Sequence, residues 1–346
     1  MSPSFFLLLY KNLISFVPGI TIASILAFLS IYATRFSLVQ IWGGSTLTLA
    51  IVFGILIGNT IFDSIEQKAG AGIDYCKSTV LRIAIILFGF RITFQEITGV
   101  GPAGIVIGVT IVIFTFLVAV WMGTRLFGLD RRTAILIGAG ASICGAAAVV
   151  ATQSIIRARS ETVSIAVATV VVFGTVSMFI YPLLYPYIGF DEYRYGIFVG
   201  STVHEVAQVV AAGQSIGDHA AAIAVIEKML RVILLAPFLV ILSIRNDATT
   251  RIPGHRIPIV IPWFAVLFIM MAMVNSLQLL PKSWIQVLIS IDTFLLAVAM
   301  AALGIRTHFR SVREAGAGPL KLGAALCAFL VIGGYLINIT LTWVLG

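Results

Sequence analysis

Apolar runs of roughly 20 residues, the length at which a helix crosses the hydrocarbon of a bilayer, follow one another along nearly the whole chain. They lie at about residues 14–32, 46–62, 79–93, 104–124, 163–185, 221–244, 258–280, 284–303 and 320–344. Only 10% of the 346 residues are charged, against about 25% in soluble domains. So little charge cannot cover the surface of a water-soluble globule of this length, and it equally excludes a disordered chain or a coiled coil. The three cysteines, Cys76, Cys144 and Cys327, have neither disulfide parity nor metal-ligand spacing. The runs therefore predict an all-α polytopic membrane protein of about nine full spans. It is a single integral domain over residues 1–346, with halves at about 1–186 and 193–346.

The formal net charge of +8 would suggest nucleic acid in a soluble protein. Here the Lys and Arg sit in short loops between apolar runs, where they orient the spans by the positive-inside rule. The partner implied is the lipid bilayer, with no nucleic acid. The first run lacks a small-residue cleavage site and reads as an uncleaved span.

Two further segments are rich in glycine and small residues. Residues 134–156 read AILIGAGASICGAAAVVATQSII, and residues 195–216 read YGIFVGSTVHEVAQVVAAGQSI. They resemble each other: Gly140-Ala141-Ser142-Ile143 recurs as Gly200-Ser201-Thr202-Val203, and Gln153-Ser154-Ile155 as Gln214-Ser215-Ile216. A shorter match links Gly89-Phe90-Arg91 with Gly304-Ile305-Arg306. If both segments span fully, Arg157 and Arg159 face outside. If both are re-entrant hairpins, Arg125, Arg131, Arg132, Arg157, Arg159, Arg245, Arg251, Arg256, Arg306, Arg310 and Arg313 all lie inside, and the repeats are inverted. The hairpin topology is preferred, with the N-terminus inside and the C-terminus outside. Non-helical backbone at membrane depth is tolerated only inside protein or along a cavity, and inverted repeats with interrupted helices mark secondary transporters.

The polar residues in these segments are the candidate chemistry. Gly140, Ser142 and Cys144 flank the first interruption, where freed amides at a helix start attract anions. His204, Glu205 and Gln208 flank the second; ionisable groups within a membrane are costly and line pathways or pair. His204 and Glu205 are the candidates for proton coupling, because histidine titrates near neutral pH. Lys228 and Arg231 lie inside an otherwise apolar run, three residues apart on one helical face. With Gly140, Ser142, Cys144 and Gln208 they form the expected substrate site, and Glu227, four residues before Arg231, is placed to neutralise it. No cofactor, metal site or catalytic residue is expected, and a hydrolase built on Ser142 and His204 lacks a nucleophile motif. A P-loop is also absent from the sequence.

At these same motifs the chain resembles a family. LRIAIILFGFRITFQEI from Leu81, GAGASICGAAAV from Gly138, GSTVHEVAQVVAAG from Gly200 and KMLRVILLAPF from Lys228 are similar to the YeiH-type family of bacterial inner-membrane proteins assigned as sulfate exporters. The resemblance implies a multi-pass inner (plasma) membrane protein related to the cation/proton antiporter and anion transporter superfamily. The family has uncharged residues where this chain has Glu227 and Arg306, which counts against Glu227 in a shared mechanism. The expectation is a secondary active transporter of a small anion such as sulfate or a sulfonate, proton- or ion-coupled and working by alternating access. The alternatives are a cation/proton antiporter with Glu205 as ion ligand, or a non-transporting scaffold. A homodimer is compatible with either.

Overall fold

The computed structural model describes residues 3–35, 45–246, 262–308, 310 and 315–345; Arg251, Arg256 and Arg313, named above, lie outside them. Among the described residues there is no strand. The helices are α1 (Pro3–Ala33), α2 (Thr46–Gly58), α3 (Phe62–Tyr75), α4 (Leu81–Phe88), α5 (Phe94–Trp121), α6 (Arg131–Ser142), α7 (Ala146–Ile156), α8 (Ser160–Ile188), α9 (Glu192–Thr202), α10 (Val206–Gln214), α11 (Asp218–Asn246), α12 (Trp263–Ser276), α13 (Lys282–Ile305) and α14 (Ala317–Leu345). Ser15–Ala33, Phe94–Leu126, Ser160–Ile188, Lys282–Ile305 and Ala317–Val344 are long and apolar enough to cross a membrane. Thr46–Gly58, Ala146–Ile156 and Trp263–Ser276 are shorter apolar helices. This is an all-helical polytopic membrane architecture.

The chain forms two compact units, Met1–Phe94 with Val266–Phe309, and Gln95–Ala265 with Arg310–Gly346. Each draws on both halves of the sequence.

In the first unit, residues 63–77 are not the polar loop that their composition suggests. They form α3, which runs on through a π-helical turn at Cys76–Val80 into α4. The reason is backbone contact: a Cβ on Gly72 would meet the Phe16 carbonyl of α1, and one on Gly19 would meet the Ala69 carbonyl. Small residues let α1 and α3 touch main chain to main chain, the packing mode available where lipid supplies no hydrophobic drive. The short sequence match has a packing counterpart. Gly89 abuts the Phe268 carbonyl of α12, and Gly304 abuts the Ile51 carbonyl of α2. Arg91 donates to Asp292 of α13 at 2.7 Å, and Arg306 donates to Asp74 of α3 at 2.8 Å. Each half thus ends a helix with an arginine that grips an acid of the other half.

In the second unit the directions of the helices follow from their glycine contacts. Gly123, in the π-helical turn after α5, lies against Ala134, and Gly138 lies against Ala119, so α5 and α6 are antiparallel. Along α9, Gly196 and then Gly200 meet Ile223 and then Glu227, so α9 runs parallel to α11. On α10, Gly213 meets Ala221, so α10 runs back. Gly217, beyond the end of α10, sits beside the Glu192 carboxylate at the start of α9. The second broken segment therefore opens and closes at one end of the unit.

The first broken segment does the same at the opposite end. The last turns of α8 pack on α9, Tyr185 edge-on against Tyr195 and Tyr181 stacked on Phe198. The start of α5 is at that end too, where the Tyr193 hydroxyl donates to the Gly99 carbonyl. The far ends of α5 and α8 hold the start of α6 and the end of α7. Asp130 caps α6 by accepting from the Arg132 amide, and Arg157, in left-handed backbone, closes α7. Arg125, Arg131, Arg132, Arg157, Arg159 and Arg245 all belong to this end.

Candidate functional site

The two broken segments meet at their tips. α6 stops at Ser142, and residues 143–145 turn before α7; α9 stops at Thr202, and residues 203–205 turn before α10. Each tip sets a helix C-terminus, with unsatisfied carbonyls, beside a helix N-terminus, with unsatisfied amides. The two kinds of end carry opposite partial charges.

The negative ends hold the cations. Lys228 Nζ donates to the carbonyls of Ile143 at 2.8 Å and Val203 at 2.6 Å, the residues that follow α6 and α9. Arg231 donates to the carbonyls of Ser142, Ala141, Gly200 and Val203. Both side chains are fully buried. Their depth is tolerable because every donated bond answers a carbonyl that the helices cannot satisfy themselves.

The positive ends hold Glu205. Its carboxylate accepts from the Ala146 amide at the start of α7, at 3.1 Å, and from the Gln208 amide in the first turn of α10. Gln208 completes a capping box by accepting from the Glu205 amide at 3.1 Å. Its other amide end reaches Val171 and Thr175 of α8. Gly145 has φ +69°, and a Cβ there would run into the Glu205 side chain. Glycine at that position permits both the turn and the close approach. Glu205 is partly exposed, and Ala147 beside it is exposed.

The other expected residues are placed as follows. Ser142 turns its hydroxyl back to the Ala139 carbonyl, and it meets the cations only through its own carbonyl. Gly140 packs against Val149 and Val170, in a helix contact one turn from the tip. Cys144 is a buried free thiol in the tip. His204 is 2% exposed, with no hydrogen-bond partner at Nδ1. It follows Val203, whose carbonyl accepts from both Lys228 and Arg231.

The sequence reading paired Glu227 with Arg231. No hydrogen bond joins them in the structure: Arg231 is engaged by carbonyls, and neither oxygen of Glu227 has a hydrogen-bond partner. The double capping by Glu205 was also missed, although Glu205-x-x-Gln208 has the spacing of a capping box.

The family model described as conserved hypothetical protein 698 matches residues 18–323. The chain is 47% identical over 332 residues to the UPF0324 inner membrane protein YeiH of Escherichia coli K12, covering 95% of each. It is 48% identical over 327 residues to the YeiH protein of Salmonella typhimurium, covering 94% of each. A UPF0324 membrane protein of Yersinia pestis is 46% identical over 344 residues, covering 96% of this chain and 94% of the relative. No solved structure matches. Its apolar helices and these relatives make the chain a multi-pass inner-membrane protein, and it belongs to the YeiH-type UPF0324 family.

Proposed function

We propose that the chain is a secondary active transporter of a small anion, and that the anion competes with Glu205 for the seat between the starts of α7 and α10. The observation that carries this reading is the double capping: one carboxylate is held by amides from two different broken segments. A seat of two helix N-termini suits any small oxyanion, sulfate and sulfonates included. Lys228 and Arg231 serve it indirectly. They neutralise the opposing C-terminal ends, so the tips hold together without closing the seat. Gln208 and the Cys144 turn position the two N-termini.

In this reading α6–α7 and α9–α10 are re-entrant hairpins from opposite faces, and the remaining apolar runs make about nine spans. The arginine-rich end is cytoplasmic by the positive-inside rule. Interrupted helices from opposite faces that meet at mid-depth suit alternating access around a fixed site. The second reading, a cation/proton antiporter, has one observation in its favour, the unpartnered carboxylate of Glu227.

The test is uptake into proteoliposomes of labelled sulfate, a short alkylsulfonate and chloride under an imposed pH gradient, with a parallel sodium-gradient arm. Saturable uptake of an anion, altered in affinity by Glu205→Gln, is the expected result. Proton-linked movement of sodium with no anion uptake selects the antiporter, and no movement of any ion leaves the scaffold.

A further inference from the structure

We infer that Glu227 is the group that carries the coupling proton in this chain, an assignment that rests on the transport reading above and is particular to this chain, since the family resemblance puts an uncharged residue at this position. Glu227 lies on α11 with 0% exposure. Neither carboxylate oxygen has a hydrogen-bond partner. An ionised carboxylate left so would be among the costliest groups to bury.

The space around it is shaped for a carboxylic acid. Two glycines four apart on α5 face it: a Cβ on Gly104 would lie 2.6 Å from Oε2, and one on Gly108 would lie 3.1 Å from Oε1. A Cβ on Gly200 of α9 would lie 2.7 Å from the Glu227 Cβ. Three glycines on two helices thus leave room for one acid side chain.

The charged and titratable groups that face it are few. On its own helix they are Lys228 and Arg231, both engaged by tip carbonyls. From α9 there is the Tyr193 phenol, whose hydroxyl is held by Gly99. Where α5 meets it, Gly104 and Gly108 bring no titratable group.

A break in α5 lies about one turn from Gly104. α5 breaks at Gly101, with φ +53° and ψ −154°, just before Pro102, and no atom stands where a Cβ on Gly101 would sit. In the transport cycle the Glu227 O–H bond breaks, its proton passes to water reaching that break, and Arg231, one turn on, faces the carboxylate that remains. Because Arg231 also holds carbonyls of both tips, deprotonation of Glu227 draws on the same guanidinium that ties the tips together. This links proton release to the tips that bear the anion seat.

The experiment uses the full chain in proteoliposomes, wild type beside Glu227→Gln and Glu227→Asp. Infrared difference spectra read the carbonyl stretch of a protonated carboxylic acid, identified by its shift in deuterium oxide. Sulfate flux is read as pH-gradient-driven accumulation and as exchange across a range of pH. Glu227→Gln is expected to remove the acid band, abolish accumulation and leave residual exchange independent of pH, and Glu227→Asp to keep a displaced acid band. Wild-type accumulation by Glu227→Gln, or an acid band that survives in it, overturns the assignment. If Glu227→Gln does not fold, an undisplaced band in Glu227→Asp overturns it equally. A wild type that moves no anion, by contrast, overturns the transport reading, and the acid band then decides separately whether Glu227 holds a proton.

Discussion

The Glu205 carboxylate accepts a hydrogen bond from the amide of Ala146, 59 residues earlier and on the other broken segment, at 3.1 Å. Its second bond caps its own helix. One negative charge thus sits on two helix starts, each interaction of this kind contributing about 0.3–1 kcal/mol. Glu205→Gln retains an acceptor and removes the charge. It should lower the unfolding temperature modestly in anion-free buffer and lower the apparent KM for the transported anion. An unchanged or raised KM would show that anion and carboxylate do not share a seat.

Lys228 and Arg231 are structural before they are anything else. Lys228→Met leaves the Ile143 carbonyl without its donor, at a cost of about 1–3 kcal/mol for a buried group left unsatisfied, and leaves Val203 with only its longer bond from Arg231. Arg231→Met strands carbonyls on both tips. Both variants should lose transport together with thermal stability in detergent, measured by size exclusion after a heating series. Wild-type stability with transport lost would instead restore them as direct anion ligands, as their spacing on α11 first suggested.

Gly145→Ala should be severe, because the backbone has positive φ and the added Cβ meets Glu205. Strained backbone of this kind costs about 1–3 kcal/mol before any clash is counted. Gly99→Ala is the control: it has nothing within 4 Å of the added carbon. Thermal unfolding of the two variants side by side should separate them clearly, and equal stability would exclude the tip geometry described above.

His204→Gln should leave the pH dependence of transport intact. His204 is buried beside two cations, and its titration is not needed if Glu227 moves the proton. A flattened pH profile in His204→Gln with a normal one in Glu227→Gln would return the proton to the tip.

Sidedness is tested by single cysteines at positions 160 and 218 in a background lacking Cys76, Cys144 and Cys327. An impermeant thiol reagent applied to intact cells should label position 218 and spare position 160. Labelling of 160 from outside would mean that the first broken segment crosses fully.

Much of the fold is legible in the sequence because lipid makes a one-dimensional demand. Each span must satisfy its own backbone and present apolar side chains over a fixed length, so runs such as 163–185 and 320–344 announce α8 and α14 without reference to the rest of the chain. The breaks are legible only to within a turn: Gly140-Ala141-Ser142 and Gly200-Ser201-Thr202 point to them, yet these residues end α6 and α9, and the turns lie at 143–145 and 203–205. Residues 63–77 have the polarity of a loop, which is visible in sequence, whereas the glycine contact of Gly72 with α1 that belongs to their helix is not. Pairing within one helix was equally misleading: Glu227 and Arg231 stand one turn apart, yet Arg231 answers carbonyls 89 and 31 residues away. Only the tertiary structure decides which helix ends converge. The sequence by itself determined that this chain would have interrupted helices and buried charges. Their convergence gave Lys228 and Arg231 to the carbonyl ends and Glu205 to the amide ends. Glu227 was left without a hydrogen-bond partner because the stronger claim on the cations came from neighbours that no spacing rule encodes, the free carbonyls of Ala141, Ser142, Ile143, Gly200 and Val203 at two helix termini.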